Sequence, residues 1–171
     1  MSGDLIGSVT SAPCQSLTDA PLLLPRSTCR HPPKTIMSFS GTWKPHKTDK
    51  EGQKKFYQLL DAPPAIQEGV GNFMDKISYT SQDNGDSMTT TIHGLPDGDK
   101  VKTVKLGEEV EDQGRLGKMK VKLVRDGNKI RSTETYANGK TSSTVREVNG
   151  DEMTVTMTTG DFTVSHVYKR E

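Results

Sequence analysis

The sequence is poor in apolar residues, in net charge and in long hydrophobic runs. Hydrophobic residues make up 30% of its 171 residues, a low share that predicts a polar interior together with a disordered part of the chain. No run approaches the roughly 18 apolar residues of a membrane-spanning helix. The formal net charge is +1 and no basic run stands out, so nucleic acid is not an expected partner.

Cysteine is almost absent, and both copies, Cys14 and Cys29, lie in the N-terminal stretch. No disulfide can therefore cross-link the rest of the chain. Near the two cysteines, only His31 offers a further metal ligand. We expect two free thiols, no metal site and no cofactor. Residues 22–24 form too short an apolar core for a signal peptide, and no Lys or Arg precedes them. These features favour a cytoplasmic protein.

The first 36 residues differ in character from the remainder. They are rich in Pro, Ser and Thr and show no sustained periodicity, which predicts a disordered N-terminal extension over residues 1–36. A segment of regular pattern opens at Met37. We therefore expect one folded domain over residues 37–171.

Two short helices are predicted after a first strand that carries the only tryptophan, Trp43. Residues 48–51 match a capping box, in which Thr48 caps the helix and Glu51 reaches back. Pro63 and Pro64 end this helix and suit the first turn of another. Apolar residues at helical spacing follow each start: Phe56, Leu59 and Leu60 in the first helix, and Ile66, Val70 and Phe73 in the second.

The rest of the chain alternates between strands and tight turns. Asn-Gly or Asp-Gly pairs, which favour hairpins, begin at Asn84, Asp97, Asp126, Asn138 and Asn149. The predicted strands are residues 39–47, 74–82, 87–93, 100–106, 108–111, 118–125, 129–136, 140–148, 151–159 and 162–170. A sheet with this many strands avoids open edges by closing into a barrel. A barrel of this size encloses a cavity for a small ligand.

The last strand places polar groups on an otherwise apolar face. His166 and Tyr168 share a side with Phe162 and Val164, because side chains two residues apart on a strand point the same way. In the preceding strand, Met153, Val155 and Met157 alternate with threonines. Such a mixed face suits a ligand cavity better than a dry core.

One strand, two short helices and a nine-strand meander, in this order, resemble the intracellular lipid-binding proteins, the fatty-acid-binding protein family. Residues 37–44 look like the start of that family, residues 104–109 are similar to its fourth-to-fifth strand junction, and residues 145–161 repeat its closing pattern. The resemblance implies an all-β fold: a ten-stranded antiparallel up-and-down β-barrel, or β-clam, capped by a helix-turn-helix.

The resemblance also implies a binding site. Family members often hold a carboxylate with an Arg on the eighth strand and an Arg and a Tyr on the tenth. Arg146 and Tyr168 match the first and last of these positions, whereas His166 replaces the second arginine. His166 is mostly neutral at cytosolic pH, so we expect ligand affinity to rise at mildly acidic pH as it protonates. Further candidate ligand-binding residues are Val155, Met157, Tyr79 and His93.

The function implied is a monomeric, non-catalytic carrier for a long-chain fatty acid or a similar hydrophobic carboxylate. The ligand would enter between the second helix and the turns at residues 93–98 and 113–117. Lys54 and Lys55 on the first helix fit either transient membrane contact through the helical cap or an ordinary solvated helix face.

Several alternatives remain open at the level of sequence. A retinoid or bile-acid carrier of the same family would have the same fold. A secreted lipocalin also begins with Gly-x-Trp, here residues 41–43. An enzyme would need His166 and Tyr168 as acid and base, but no nucleophile motif, phosphate loop or metal-spaced cluster supports one.

Overall fold

The computed structural model of the protein describes residues 38–171. The predicted N-terminal extension, with Cys14, Cys29 and the start of the predicted domain at Met37, lies outside the described residues. The chain from Ser38 onward forms ten strands and two helices. They are β1 (Gly41–Lys47), α1 (Lys50–Leu59), α2 (Pro64–Phe73), β2 (Ser78–Asp83), β3 (Ser87–His93), β4 (Lys100–Lys105), β5 (Glu109–Gly114), β6 (Gly117–Asp126), β7 (Lys129–Tyr136), β8 (Thr141–Asn149), β9 (Glu152–Thr159) and β10 (Phe162–Arg170).

The ten strands form one antiparallel sheet that curves into a nearly closed barrel. The strand order is β4-β3-β2-β1-β10-β9-β8-β7-β6-β5, so consecutive strands pair except β4 with β5, and β1 also pairs with β10. β4 and β5 stand at the two ends of this order. A single bridge joins Leu106, the residue after β4, to Leu123 on β6, at one end of the gap between β4 and β5. Nearer its middle, the Lys102 ammonium lies 2.5 Å from an Asp112 carboxylate oxygen. The predicted fold class is confirmed.

The start of β2 was placed too early by the sequence pattern. Residues 74–77, predicted to be extended, continue the turn of α2, because the Met74 N–H donates to the Val70 carbonyl and the Ile77 N–H to the Phe73 carbonyl. β2 therefore begins at Ser78. β5 is longer than predicted, ending at Gly114.

The cap of α1 also differs from the prediction. Asp49, not Thr48, is the N-cap, and its carboxylate accepts from the Gly52 N–H at 2.8 Å. The Thr48 hydroxyl instead donates to Asp75 at 2.9 Å. Both residue types cap helices well, so a contact from another part of the chain decides between them.

Two apolar clusters occupy opposite ends of the barrel. The larger includes Phe39, Trp43 and Val148 and fills the end away from the helices. The Trp43 indole donates to the Phe39 carbonyl at 3.0 Å, and the Arg170 guanidinium stacks 4.3 Å from its ring centroid. The smaller cluster centres on Phe56 of α1. In residues 38–171 no helix has the length and apolar character needed to cross a membrane.

Candidate ligand-binding site

A cavity of about 520 Å³ opens under the two helices. Its lining combines α1, α2, the turns at residues 95–97 and 113–116, and inward-facing side chains of β7 to β10. This volume lies within the roughly 300–1,000 Å³ typical of small-molecule pockets. The lining is mixed, with apolar side chains such as Met157 beside charged and hydroxyl groups.

Three of the predicted site residues form one row across the barrel wall. Arg146 on β8 is opposite Val155 on β9, and Val155 is opposite His166 on β10. Arg146 is half-buried and lines the cavity. Within residues 38–171 its guanidinium makes no hydrogen bond or ion pair to a side chain or backbone group. Its planar set of N–H donors is therefore available to an anion in the cavity.

Tyr168 supplies a neutral phenol close to this guanidinium. Its side chain is 2% exposed, and its ring packs edge-on against Tyr79 with centroids 5.2 Å apart. Burial, reinforced by Tyr79, raises the pKa of Tyr168 far above that of a free phenol, although the nearby charge of Arg146 acts in the opposite direction. Tyr168 thus keeps its proton and can donate a hydrogen bond.

His166 lines the cavity, but both of its ring nitrogens are bonded to residues at the start of α1. Its Nδ1 accepts from the Asp49 N–H at 3.2 Å, so its proton is on Nε2, which donates to the Gln53 amide oxygen at 2.5 Å. Burial lowers the pKa of His166, while the charge of Asp49 raises it by less. Burial and the hydrogen bond that Nδ1 accepts from the Asp49 N–H both favour the neutral ring. The geometry opposes the expected gain in affinity on mild acidification, because a second ring proton would break the bond to Asp49.

The remaining predicted residues divide between the cavity and the outer surface. Val155, Met157 and Tyr79 line the cavity. His93 does not: it lies on the opposite face of β3 from the cavity-lining Ile92. Its Nδ1 is 2.6 Å from an Asp99 carboxylate oxygen and its Nε2 is 3.0 Å from the Thr80 hydroxyl.

Two polar features of the lining lie outside the predicted site residues. Arg115, in the turn between β5 and β6, lines the mouth, where its charge acts on the phenol of Tyr57. Glu134 on β7 lines the wall and accepts from the Ser132 hydroxyl at 2.5 Å and from the Ser142 hydroxyl at 2.8 Å. Alternation along β7 puts Glu134 on the same face as the buried Ile130, but the pattern alone leaves open whether Glu134 faces the lumen or the exterior.

Among the described residues, no group of three or more His, Cys, Asp or Glu side chains is arranged to hold a metal ion. The polar groups of the cavity are instead cations, phenols, hydroxyls and amides, together with the carboxylates of Asp97 and Glu134. Such a set can bind an amphipathic organic ligand through an acid group and hydrogen bonds.

Comparison with known proteins gives the family. No protein-family model matches the sequence. Bilirubin-inducible fluorescent protein UnaG from Anguilla japonica is 31% identical over 141 residues, which cover 79% of this chain and 97% of UnaG. This chain belongs to the intracellular lipid-binding protein family. A second member of the family, the 14 kDa fatty acid-binding protein of Schistosoma mansoni, is 32% identical over 107 residues, covering 55% of this chain and 80% of that protein.

Solved structures of the same family share the barrel. The Schistosoma mansoni fatty-acid-binding protein in complex with arachidonic acid matches with a TM-score of 0.68 and 28% identity, over 80% of this chain and 98% of that one. The fatty-acid-binding protein of Manduca sexta, 24% identical, has the same TM-score of 0.68 and shares the fold. The relatives named for fatty acids support a lipid carrier.

Proposed function

We propose that this protein is a cytoplasmic, monomeric and non-catalytic carrier. It binds a long-chain fatty acid or a similar hydrophobic carboxylate inside the barrel, anchored by Arg146 with Tyr168. The observation that carries this proposal is the guanidinium of Arg146, which lines the cavity and has no ion-pair partner among residues 38–171. His166, beyond Val155 in the same row, contributes by holding α1.

The energetics of such a complex are favourable. A charged group inside a cavity costs several kcal/mol unless it is paired or hydrated, and a carboxylate matches the planar fork of arginine. Each buried CH₂ adds about 0.8 kcal/mol. A chain of about 16 carbons would yield about 8–9 kcal/mol after ordering costs, which corresponds to micromolar or tighter binding.

The proposed route for the ligand passes beside α2. α1 is fastened at its start by His166 and at its end by the β7–β8 turn, where the Lys140 ammonium donates to the Leu59 carbonyl at 2.8 Å. Within residues 38–171, α2 makes no hydrogen bond or ion pair to a strand. α2 is therefore the easier part of the cap to displace, and it faces the turns at residues 95–97 and 113–116 across the cavity.

The direct test is to identify what the protein carries and what it binds. Mass spectrometry of lipids extracted from the native protein should recover an unmodified hydrophobic carboxylate. Titration of the delipidated protein with a long-chain fatty acid should then give saturable binding in the micromolar range or below. Absence of saturable binding would contradict the proposal, and conversion of the bound lipid to a product would replace it by an enzymatic function.

A bilirubin-type carrier is the second candidate. The favouring observations are the relative named for induction by bilirubin, 31% identical, and the presence of two guanidiniums, Arg115 and Arg146, at the mouth and in the wall of the cavity. Two cations suit a ligand with two carboxylates. Bilirubin should be included in the titration, and binding at least tenfold tighter than that of a fatty acid would favour this candidate.

Contact with membranes through the cap is a further part of the proposal. Lys54 is exposed on α1, and Lys55 lies with its ammonium 4.9 Å from the Phe162 ring centroid. Lys54→Glu should slow transfer of a fluorescent fatty acid to anionic vesicles about two- to fivefold, because attraction to anionic lipid is about 1 kcal/mol per basic residue. Lys122→Glu, on an exposed position of β6, is the control. Equal rates for both variants would argue against contact through α1.

A further inference from the structure

A carboxylate in the cavity wall is held by hydroxyl donors rather than by a cation. Glu134 accepts from Ser132 at 2.5 Å through one oxygen and from Ser142 at 2.8 Å through the other. Ser132 and Ser142 are 2% and 5% exposed, so these two bonds are fixed within the wall. No ion pair to Glu134 occurs in residues 38–171.

A phenol extends this network toward the mouth of the cavity. The Tyr136 hydroxyl lies 3.1 Å from the Ser142 oxygen. Because the Ser142 proton is directed at Glu134, Tyr136 donates to Ser142. Burial raises the pKa of Tyr136 to about 12, so it remains a donor. The three side chains Glu134, Ser142 and Tyr136 all line the cavity, and together they are called the acceptor patch below.

The acceptor patch retains capacity for hydrogen bonds. A carboxylate offers about four acceptor positions, and Ser132 and Ser142 use two of those of Glu134. A saturated hydrocarbon tail cannot satisfy the others, and it would remove water from a charged group. An N–H or O–H on the ligand would satisfy them.

The sheet register fixes where the acceptor patch lies relative to Arg146. Ile130 is opposite Arg146, and Glu134 is opposite Ser142, on the same two strands. Glu134 is thus four residues further toward the helices, about 13 Å at about 3.3 Å per residue. If the carboxylate of a ligand is bound at Arg146, the middle of the ligand, rather than its carboxylate, would contact Glu134.

We propose that the acceptor patch is a second polar subsite, which selects hydrophobic carboxylates that carry an N–H or O–H donor in their body over saturated fatty acids. This inference rests on the proposed anchoring of a carboxylate by Arg146. The shared chemistry is the hydrogen-bond donor. An O–H would come from a hydroxylated fatty acid and an N–H from a pyrrole or lactam, as in bilirubin.

The test compares stearate, 12-hydroxystearate and bilirubin on the delipidated protein by calorimetric titration. The wild type should bind 12-hydroxystearate about tenfold tighter than stearate, which is the scale of one hydrogen bond to a charged group. Glu134→Leu should bring this ratio close to one by tightening stearate and weakening 12-hydroxystearate. Glu134→Gln, which keeps the side-chain length and one acceptor oxygen, should give an intermediate ratio and serves if the leucine variant does not fold. Glu111→Leu, on an exposed position of β5, is the matched control and should leave the ratio unchanged.

The outcomes separate this inference from the proposed function. A weakening confined to bilirubin in Glu134→Leu supports the subsite and identifies N–H as its donor, whereas a weakening of 12-hydroxystearate identifies O–H. If Glu134→Leu changes the affinities of all three ligands by the same factor, the subsite is overturned, even where Arg146→Gln weakens them all. If Arg146→Gln leaves every affinity unchanged, the anchor is overturned, and the ratio in Glu134→Leu still decides the subsite.

Discussion

Replacement of Arg146 by glutamine is expected to weaken fatty-acid binding by about 10- to 100-fold near neutral pH, because a hydrogen bond to a charged group is worth about 1.5–3 kcal/mol. Glutamine keeps hydrogen-bonding capacity but loses the charge and the planar fork that match a carboxylate. The ligand-free variant should unfold at a temperature no lower than that of the wild type. The reason is that the substitution removes from the ligand-free cavity a positive charge that no group in residues 38–171 pairs with.

Isothermal titration with a long-chain fatty acid measures this loss, and thermal unfolding without ligand measures the stability. Arg131→Gln is the matched control, since Arg131 is exposed on the neighbouring strand and is opposite Val145, the residue before Arg146. Its affinity should equal that of the wild type. His166→Gln should lose less affinity than Arg146→Gln, because the His166 ring contacts α1. Equal losses in the Arg146 and His166 variants would contradict the separate roles given to the two residues.

The strands and their pairing could be predicted because local patterns determine them. In β8 to β10 the strict alternation and the Asn-Gly turn leave one register in which the apolar side chains face inward. The start of β2 could not be predicted in this way. Met74 and Ile77 are equally compatible with a strand, and the helical bonds of their N–H groups to Val70 and Phe73 depend on how α2 ends.

The candidate site was predictable to the extent that it depends on alternation and on the family pattern. Tyr168 met both conditions, Val155 met only the first and Arg146 only the second, and all three line the cavity. His93 was included without an alternation argument, and its neighbour Ile92 takes the inward position.

The contact of His166 with Asp49 and Gln53 joins residues 117 and 113 positions apart in the chain. It depends on the docking of α1 against β10, which no local pattern specifies. Glu134 is an intermediate case, since its face was predictable but its serine partners were set by pairing with β8. Local sequence thus located the wall of the site, and tertiary contacts assigned the roles of its polar groups.

The free energy of unfolding should fall as the pH is lowered from about 7.5 to 5.5. The slope is set by how many more protons the unfolded chain binds at His166 than the folded protein does. Burial lowers its pKa from the ordinary 6.5, so the unfolded chain binds a proton at this position before the folded protein does. Stability from the neutral ring is therefore fully present above the unfolded pKa and is lost as the pH falls through 6.5 toward the lower folded value. One such proton contributes a slope of at most about 1.4 kcal/mol per pH unit.

Urea unfolding at a series of pH values measures this slope in the wild type and in His166→Gln, whose side chain does not titrate. The slope should be smaller in the variant, and the difference should disappear above about pH 7.5. His46→Gln, at an exposed position of β1, is the matched control for the removal of a histidine side chain. Asp75, Asp97 and Glu147 have lowered pKa values and titrate below this window.

If His166→Gln and the wild type lose stability in parallel, His166 does not fasten α1 as a neutral ring. If instead the slopes differ as expected, acidification weakens the attachment of α1 while Arg146 stays charged, so pH acts on the helical cap before it acts on the carboxylate anchor.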